Sequence, residues 1–185
     1  MFFAVQGVIL ASLVLIIRDR HLTLSPLSPE GSSGVLMAAM LGSSALVSWG
    51  AEQWIDRHGR KAALLLPASL SCVGGFALLA VSQHLGGALL ALSAIGIGTG
   101  GINVPLIVIL GDLVSADRYG RAIGMYQVLG DVGGSLGPIT GLEAITRFGS
   151  TVTLAVLAAA LLVTVPLAAR LQRLERDGAC AGTGL

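Results

Sequence analysis

Charged residues and cysteines are scarce in this chain. Asp, Glu, Lys and Arg make up 11% of its 185 residues, against about 25% in ordinary soluble domains. Apolar residues reach 54% and the mean hydropathy is +0.86, more than a soluble core can hide. The formal net charge of +1 excludes the basic surface that a nucleic-acid partner needs. The two cysteines, Cys72 in an apolar stretch and Cys180 in a polar tail, allow neither a disulfide framework nor a clustered metal site, and both are read as structural. The segment Met1–Ile17 lacks a basic leading stretch and so reads as a span rather than a cleaved signal. No metal and no cofactor are expected, and the partner implied is lipid.

What is present is a series of six apolar stretches, at about 2–17, 34–54, 62–82, 86–110, 122–144 and 150–169. Each is near the roughly 20 residues that cross a bilayer core. The expectation is an all-α integral membrane bundle of about six spans in residues 1–170, followed by a cytoplasmic tail at 171–185. The first span is short and begins at Met1, as if an upstream part of its helix were missing. Of the 11 Lys and Arg residues, Arg57, Arg60, Lys61, Arg118, Arg121, Arg170, Arg173 and Arg176 fall on one side. Only Arg18, Arg20 and Arg147 fall on the other, so both termini are expected in the cytoplasm. Gly96 and Gly100, Gly130 and Gly134, and Gly133, Gly137 and Gly141 repeat at four-residue strides, which in lipid mark faces where helix backbones approach closely.

The loop after the second span reads Asp56-Arg57-His58-Gly59-Arg60-Lys61, and the fifth span contains Gly133-x-x-x-Gly137-Pro138-x-x-Gly141. The first resembles the D-R-x-G-R-K loop of the major facilitator superfamily, and the second is similar to the G-x-x-x-G-P-x-x-G pattern of that superfamily's exporters. Asp117-Arg118-Tyr119-Gly120-Arg121 in the next cytoplasmic loop fits as well. The resemblance implies half of a transporter whose members have twelve spans in two six-helix halves. Glu52 stands where the family loop usually has glycine, Leu142 follows Gly141 where a second glycine is usual, and Leu92 replaces the arginine expected in the fourth span. These departures look more like the second half than the first. A complete transporter would then need another six-helix unit, either a second copy or a separate chain.

The resemblance makes Asp56, Arg57, Gly59, Arg60, Lys61 and Arg121 a gating latch on the cytoplasmic side, remade as the halves rock. Physically, Asp56 closes a helix whose C-terminal end repels a carboxylate, so a cation or a helix N-terminus should face it. The plainer alternative is that these charges only fix topology. Asp131 lies about ten residues into its span, where a carboxylate costs about 2.5–3.5 kcal/mol on insertion scales. With Gln127, Gly134 and Pro138 it shares a face opposite Met125, Val128, Val132, Leu136 and Ile139. It should therefore point into the bundle or a cavity, either as a proton-coupling group or as a carboxylate bonding backbone loosened by Pro138. Thr99 and Asn103, beside Gly96 and Gly100, and Gln6 in the first span are further candidates for a substrate path or for polar packing.

Gly96-Ile97-Gly98-Thr99-Gly100-Gly101 matches the dinucleotide fingerprint, but it sits inside an apolar run rather than after a strand. Gly31-Ser32-Ser33-Gly34 matches an intramembrane protease motif, yet no histidine follows His84 to activate the serine. The expectation is therefore no enzyme but a secondary transporter in a bacterial-type plasma membrane, exporting a small organic molecule against protons. The competing readings are a six-span scaffold that moves no solute and an inactive fragment of a transporter.

Overall fold

The computed structural model describes residues 7–19 and 29–181. Helix α1 spans Leu10–Asp19, α2 Pro29–His58, α3 Leu65–Val81, α4 Leu85–Leu113, α5 Ala116–Phe148, α6 Ser150–Leu162 and α7 Thr164–Ala181. A single 3-10 turn, Ala62–Leu64, leads into α3, and α7 continues α6 after a one-residue interruption at Val163. The chain is therefore all-helical among its described residues, with six rods laid end to end.

Four of these rods are long and apolar enough to cross a membrane: Glu30–His58, Ala62–Val81, Leu85–Leu113 and Ser150–Arg173. The expected count of six spans is thus reached only in part. The described helix of the first rod has 10 residues, and much of the remaining segment 2–17 lies outside the described residues. Helix α5 has 33 residues, but Gln127, Asp131 and its many glycines dilute its hydropathy. In the last rod, helix continues to Ala181, beyond the expected domain boundary at 170.

Helix α4 is the centre of the packing, with α2 on one side and α3 on the other. Its glycines make this possible. A Cβ on Gly96 would strike the Met40 carbonyl oxygen, and one on Gly100 the Ser44 carbonyl oxygen, both on α2. On the side facing α3, a Cβ on Gly98 would lie 2.7 Å from the Cys72 nitrogen and 2.8 Å from the Ala68 oxygen. Gly75 of α3 returns the contact, its own Cβ position falling 2.8 Å from the Ala91 oxygen. Ser43 Oγ donates to the Ser93 carbonyl at 3.2 Å and Ser71 Oγ to the Ala94 carbonyl at 2.8 Å, tying α2 and α3 to the same stretch of α4. In lipid, where apolar contact gives helices no reason to leave the acyl chains, such close approach and such bonds supply the association.

The larger apolar side chains close around this seam. Ile9, Leu13, Leu36, Phe76, Leu92, Ile95 and Leu154 form one buried cluster drawn from α1 with its preceding turn, α2, α3, α4 and α6. Ala62, Leu65, Ala68, Ile102 and Ala168 form a smaller one near the end of the bundle that carries the α2–α3 loop. Cys72 is buried within the first cluster as a free thiol, in keeping with its structural reading. Helix α5 contributes no buried apolar side chain, since its buried residues are Gly130, Gly137 and Gly141. It leans on α1, α4 and α6 through that stripe: Gly137 lies against Gly7, and Gly141 against Val8.

Gly74 and Gly75 separate close packing from helix propensity. A Cβ on Gly74 meets nothing within 4 Å, so Gly74→Ala should be neutral or stabilise by up to about 1 kcal/mol. Gly75→Ala should cost about 1–3 kcal/mol, because backbone atoms of α4 must move. Thermal unfolding of the two variants in the same detergent checks this. Equal midpoints would mean that α3 and α4 do not touch through Gly75.

Candidate functional site

The loop after α2 is shaped by one glycine. Gly59 has φ +67°, and its N–H donates to the Ile55 carbonyl at 2.7 Å, the left-handed helix end for which glycine is preferred. Just before it, the His58 ring stacks on Trp54 with centroids 4.9 Å apart, and His58 Nδ1 lies 3.0 Å from the Trp54 carbonyl oxygen. The chain then turns, Lys61 enters the 3-10 turn, and Asp56, Arg57 and Arg60 are left exposed around the bend.

Lys61 forms an ion pair with Asp112, in the last turn of α4. The carboxylate at that helix end would be repelled by the backbone dipole, and the ammonium offsets the repulsion. The structure therefore gives the loop a cation–carboxylate contact, but on Asp112 rather than on Asp56. Neither Asp56, Arg57, Arg60 nor Arg121 forms an ion pair or side-chain hydrogen bond with any described residue. Arg121 is exposed in the second turn of α5, after Arg118 and Asp117, which lie 3.8 Å apart. Asp112 carried no sequence signal, because pairing across 51 positions leaves no periodic trace.

At membrane depth the candidates separate. Thr99 Oγ1 donates to the Gly96 carbonyl at 2.9 Å and reaches Ser44 Oγ at 3.3 Å, so it belongs to the α2–α4 seam. Asn103 Oδ1 accepts a bond of 2.9 Å from the Tyr126 hydroxyl, a polar tie between α4 and α5 that the sequence did not suggest. Asp131 does not point into this bundle: it is exposed, with Gln127 Nε2 3.5 Å from its Oδ1. Pro138 and Gly134 beside it are half-buried, and Met125, Val128, Val132, Leu136 and Ile139 are exposed on the apolar flank. Near the opposite end, Arg147 Nε donates to Glu143 Oε1 at 2.5 Å. Gln6 lies outside the described residues.

Uncovered surface is not confined to α5. Along α2, Gly34, Ala38, Gly42, Ala45, Trp49, Glu52 and Asp56 are all exposed, at the alternating strides of three and four that keep residues on one helix face. A Cβ on Gly34 or Gly42 meets nothing within 4 Å. Small residues of this kind mark helix contacts in lipid, yet this stripe is left exposed by the described residues. Among the described residues, no group of three or more His, Cys, Asp and Glu is placed to hold a metal ion.

The Lys61–Asp112 pair is partly solvated, with 27% and 56% of the side chains exposed. Its contribution is therefore about 0.2–1 kcal/mol after solvent screening. Lys61→Asp and Asp112→Lys should each lower the thermal midpoint, and the double exchange should recover most of the loss. Additive losses in that double-mutant cycle would show that the two groups do not interact.

No curated protein matches the chain. Residues 1–179 match the family model described as Major Facilitator Superfamily. The match covers the loop after α2, the glycine–proline pattern of α5 and all six rods but the last residues of α7, and the chain belongs to the Major Facilitator Superfamily.

Proposed function

We propose that this chain, an integral membrane protein by its family and its apolar helices, is one six-helix half of a secondary transporter that exports a small organic molecule in exchange for protons. In this reading all six rods span the membrane, both termini lie in the cytoplasm of a bacterial-type plasma membrane, and a second six-helix unit completes the path. The likeness of Gly133–Gly141 to the exporter pattern supports the direction.

The observation that carries the proposal is the flank of α5 bearing Gln127 and Asp131, which this chain leaves uncovered. A carboxylate there costs about 2.5–3.5 kcal/mol against lipid, so a lipid-facing position is disfavoured and a wall of an aqueous path fits. The gating charges agree. Asp56, Arg57, Arg60 and Arg121 are exposed and unpaired within the described chain, as half of a latch would be when its counterpart belongs to another unit. In that assembly the exposed small-residue stripe of α2 packs on the second unit, and the halves rock about the central path.

Two measurements test the reading. Native mass spectrometry after mild extraction should find two six-helix units together, either two copies or this chain with another. A lone, unstable monomer would overturn the claim that this chain works as a half. In cells producing the intact assembly, ethidium efflux should respond to an imposed pH gradient, and Asp131→Asn should remove that response while leaving protein abundance unchanged. An unaltered gradient response in Asp131→Asn would remove Asp131 from coupling. Unaltered export together with unaltered stability would favour a scaffolding role for this helix.

A further inference from the structure

One cavity lies away from the Gln127–Asp131 flank. It has a volume of about 280 Å³ and lies between α3, α4, α5 and α7, with Ser69, Asn103, Leu106, Tyr126, Thr164 and Leu167 among its lining residues. Around α5, Tyr126 and Asp131 are five positions apart, about 140° round the helix, so the cavity and the polar flank face different ways. Helix α7 packs on α3, the 3-10 turn and α6, not appreciably on α5. The cavity is therefore open on the side between Tyr126 and the exposed Leu167 and Leu171. In the membrane placement proposed above, that side faces lipid rather than the central path.

Its chemistry is selective. No charged side chain lines it, and an ion entering from the acyl region would find no counter-charge. Ser69 Oγ is spent on the Leu65 carbonyl at 2.7 Å and Thr164 Oγ1 on the Leu161 carbonyl at 2.6 Å. Asn103 differs. Its Oδ1 is held by Tyr126, and its amide nitrogen donates to no described residue. A half-buried amide donor in an otherwise apolar chamber is best satisfied by an acceptor arriving with a ligand.

We propose that this cavity is a lateral binding site for an uncharged, mainly apolar small molecule bearing one hydrogen-bond acceptor, which enters from the bilayer between α5 and α7. The acceptor takes the free N–H of Asn103, and the apolar body packs on Leu106, Leu167 and Leu171. An occupant wedges against Tyr126, the residue that ties α4 to α5. Binding would thus bear on the position of α5 without touching the central path. The inference rests on the cavity and on membrane placement, and stands whether or not the chain exports anything.

Benzophenone has the required chemistry, with two apolar rings and one carbonyl, and it inserts into nearby C–H bonds on irradiation. The intact protein in lipid nanodiscs is irradiated with increasing benzophenone, and adducts are mapped by peptide mass spectrometry. Labelling of the peptides carrying Tyr126, Leu106 or Leu171 should saturate. Leu167→Trp, an exposed position at the mouth, should reduce it at least fivefold, and Asn103→Leu should shift half-saturation upward by roughly tenfold, one hydrogen bond's worth. Adducts on Val128, Leu136 and Ile139 should rise linearly as lipid-phase labelling does. Linear labelling at all sites, or saturation unchanged in Leu167→Trp with the thermal midpoint retained, would overturn the proposal.

Discussion

The fold depends on how closely α4 lets two neighbours approach it. Gly96 and Gly100 admit α2, while Gly98 admits α3 and Gly75 reciprocates. Two residues along a helix turn about 200°, so these alternating glycines open nearly opposite sides of one helix. Against soluble standards this is costly, since each interior glycine forfeits about 1 kcal/mol of helix propensity. The cost is recovered because lipid removes the usual hydrophobic reason for helices to associate, leaving van der Waals contact and hydrogen bonds. Ser43 and Ser71 can reach backbone carbonyls of α4 because the helices are already so near. The serines follow from the glycines.

Helix α5 shows the same device used more sparingly. It buries only Gly130, Gly137 and Gly141, with Tyr126–Asn103 as a polar tie to α4. A helix that buries glycine alone presents three other surfaces at once. One is apolar, through Val128, Val132, Leu136 and Ile139. One is polar, through Gln127 and Asp131. The third carries Tyr126 over a side cavity. That division explains why α5 falls short on hydropathy while being, at 33 residues, ample in length to cross a membrane.

The sequence made the rods, the charged loop after α2 and the packing glycines legible because each leaves a local mark. Gly59 was legible as part of a loop pattern, and its +67° φ supplies the physical reason. The four-residue strides at Gly96 and Gly100 identified a packing face correctly. Gly98, two residues out of that stride, escaped notice because a stride records one face and α4 has two. Asp112 and Tyr126 escaped for another reason: their partners are far away in sequence, and periodicity assigns a residue to a face without naming what lies opposite. Asp131 was the sharpest ambiguity. The helical wheel separated it from the apolar flank, which the structure keeps. A wheel does not distinguish the inside of a bundle from a surface that the bundle leaves uncovered.

That distinction bears on where chemistry can occur. Among the described residues the hydrogen-bond partner of Asp131 is Gln127, a neutral amide on the same helix. An amide at 3.5 Å orients a carboxylate but brings no charge to balance it, and lipid brings less. The loop after α2 is incomplete in the same way. Lys61 is taken by Asp112, which leaves Asp56 at the end of α2 facing an unfavourable helix dipole with no described cation on it. On the proposed reading, both sites hold one side of an electrostatic arrangement, at two depths of the membrane. A single six-helix bundle could remove both deficits only by turning these surfaces toward water. A second unit bringing cations or helix N-termini to Asp56, and polar groups to Asp131, would satisfy both through one interface. Motion of that interface would then change the two environments together, which is the coupling that alternating access requires.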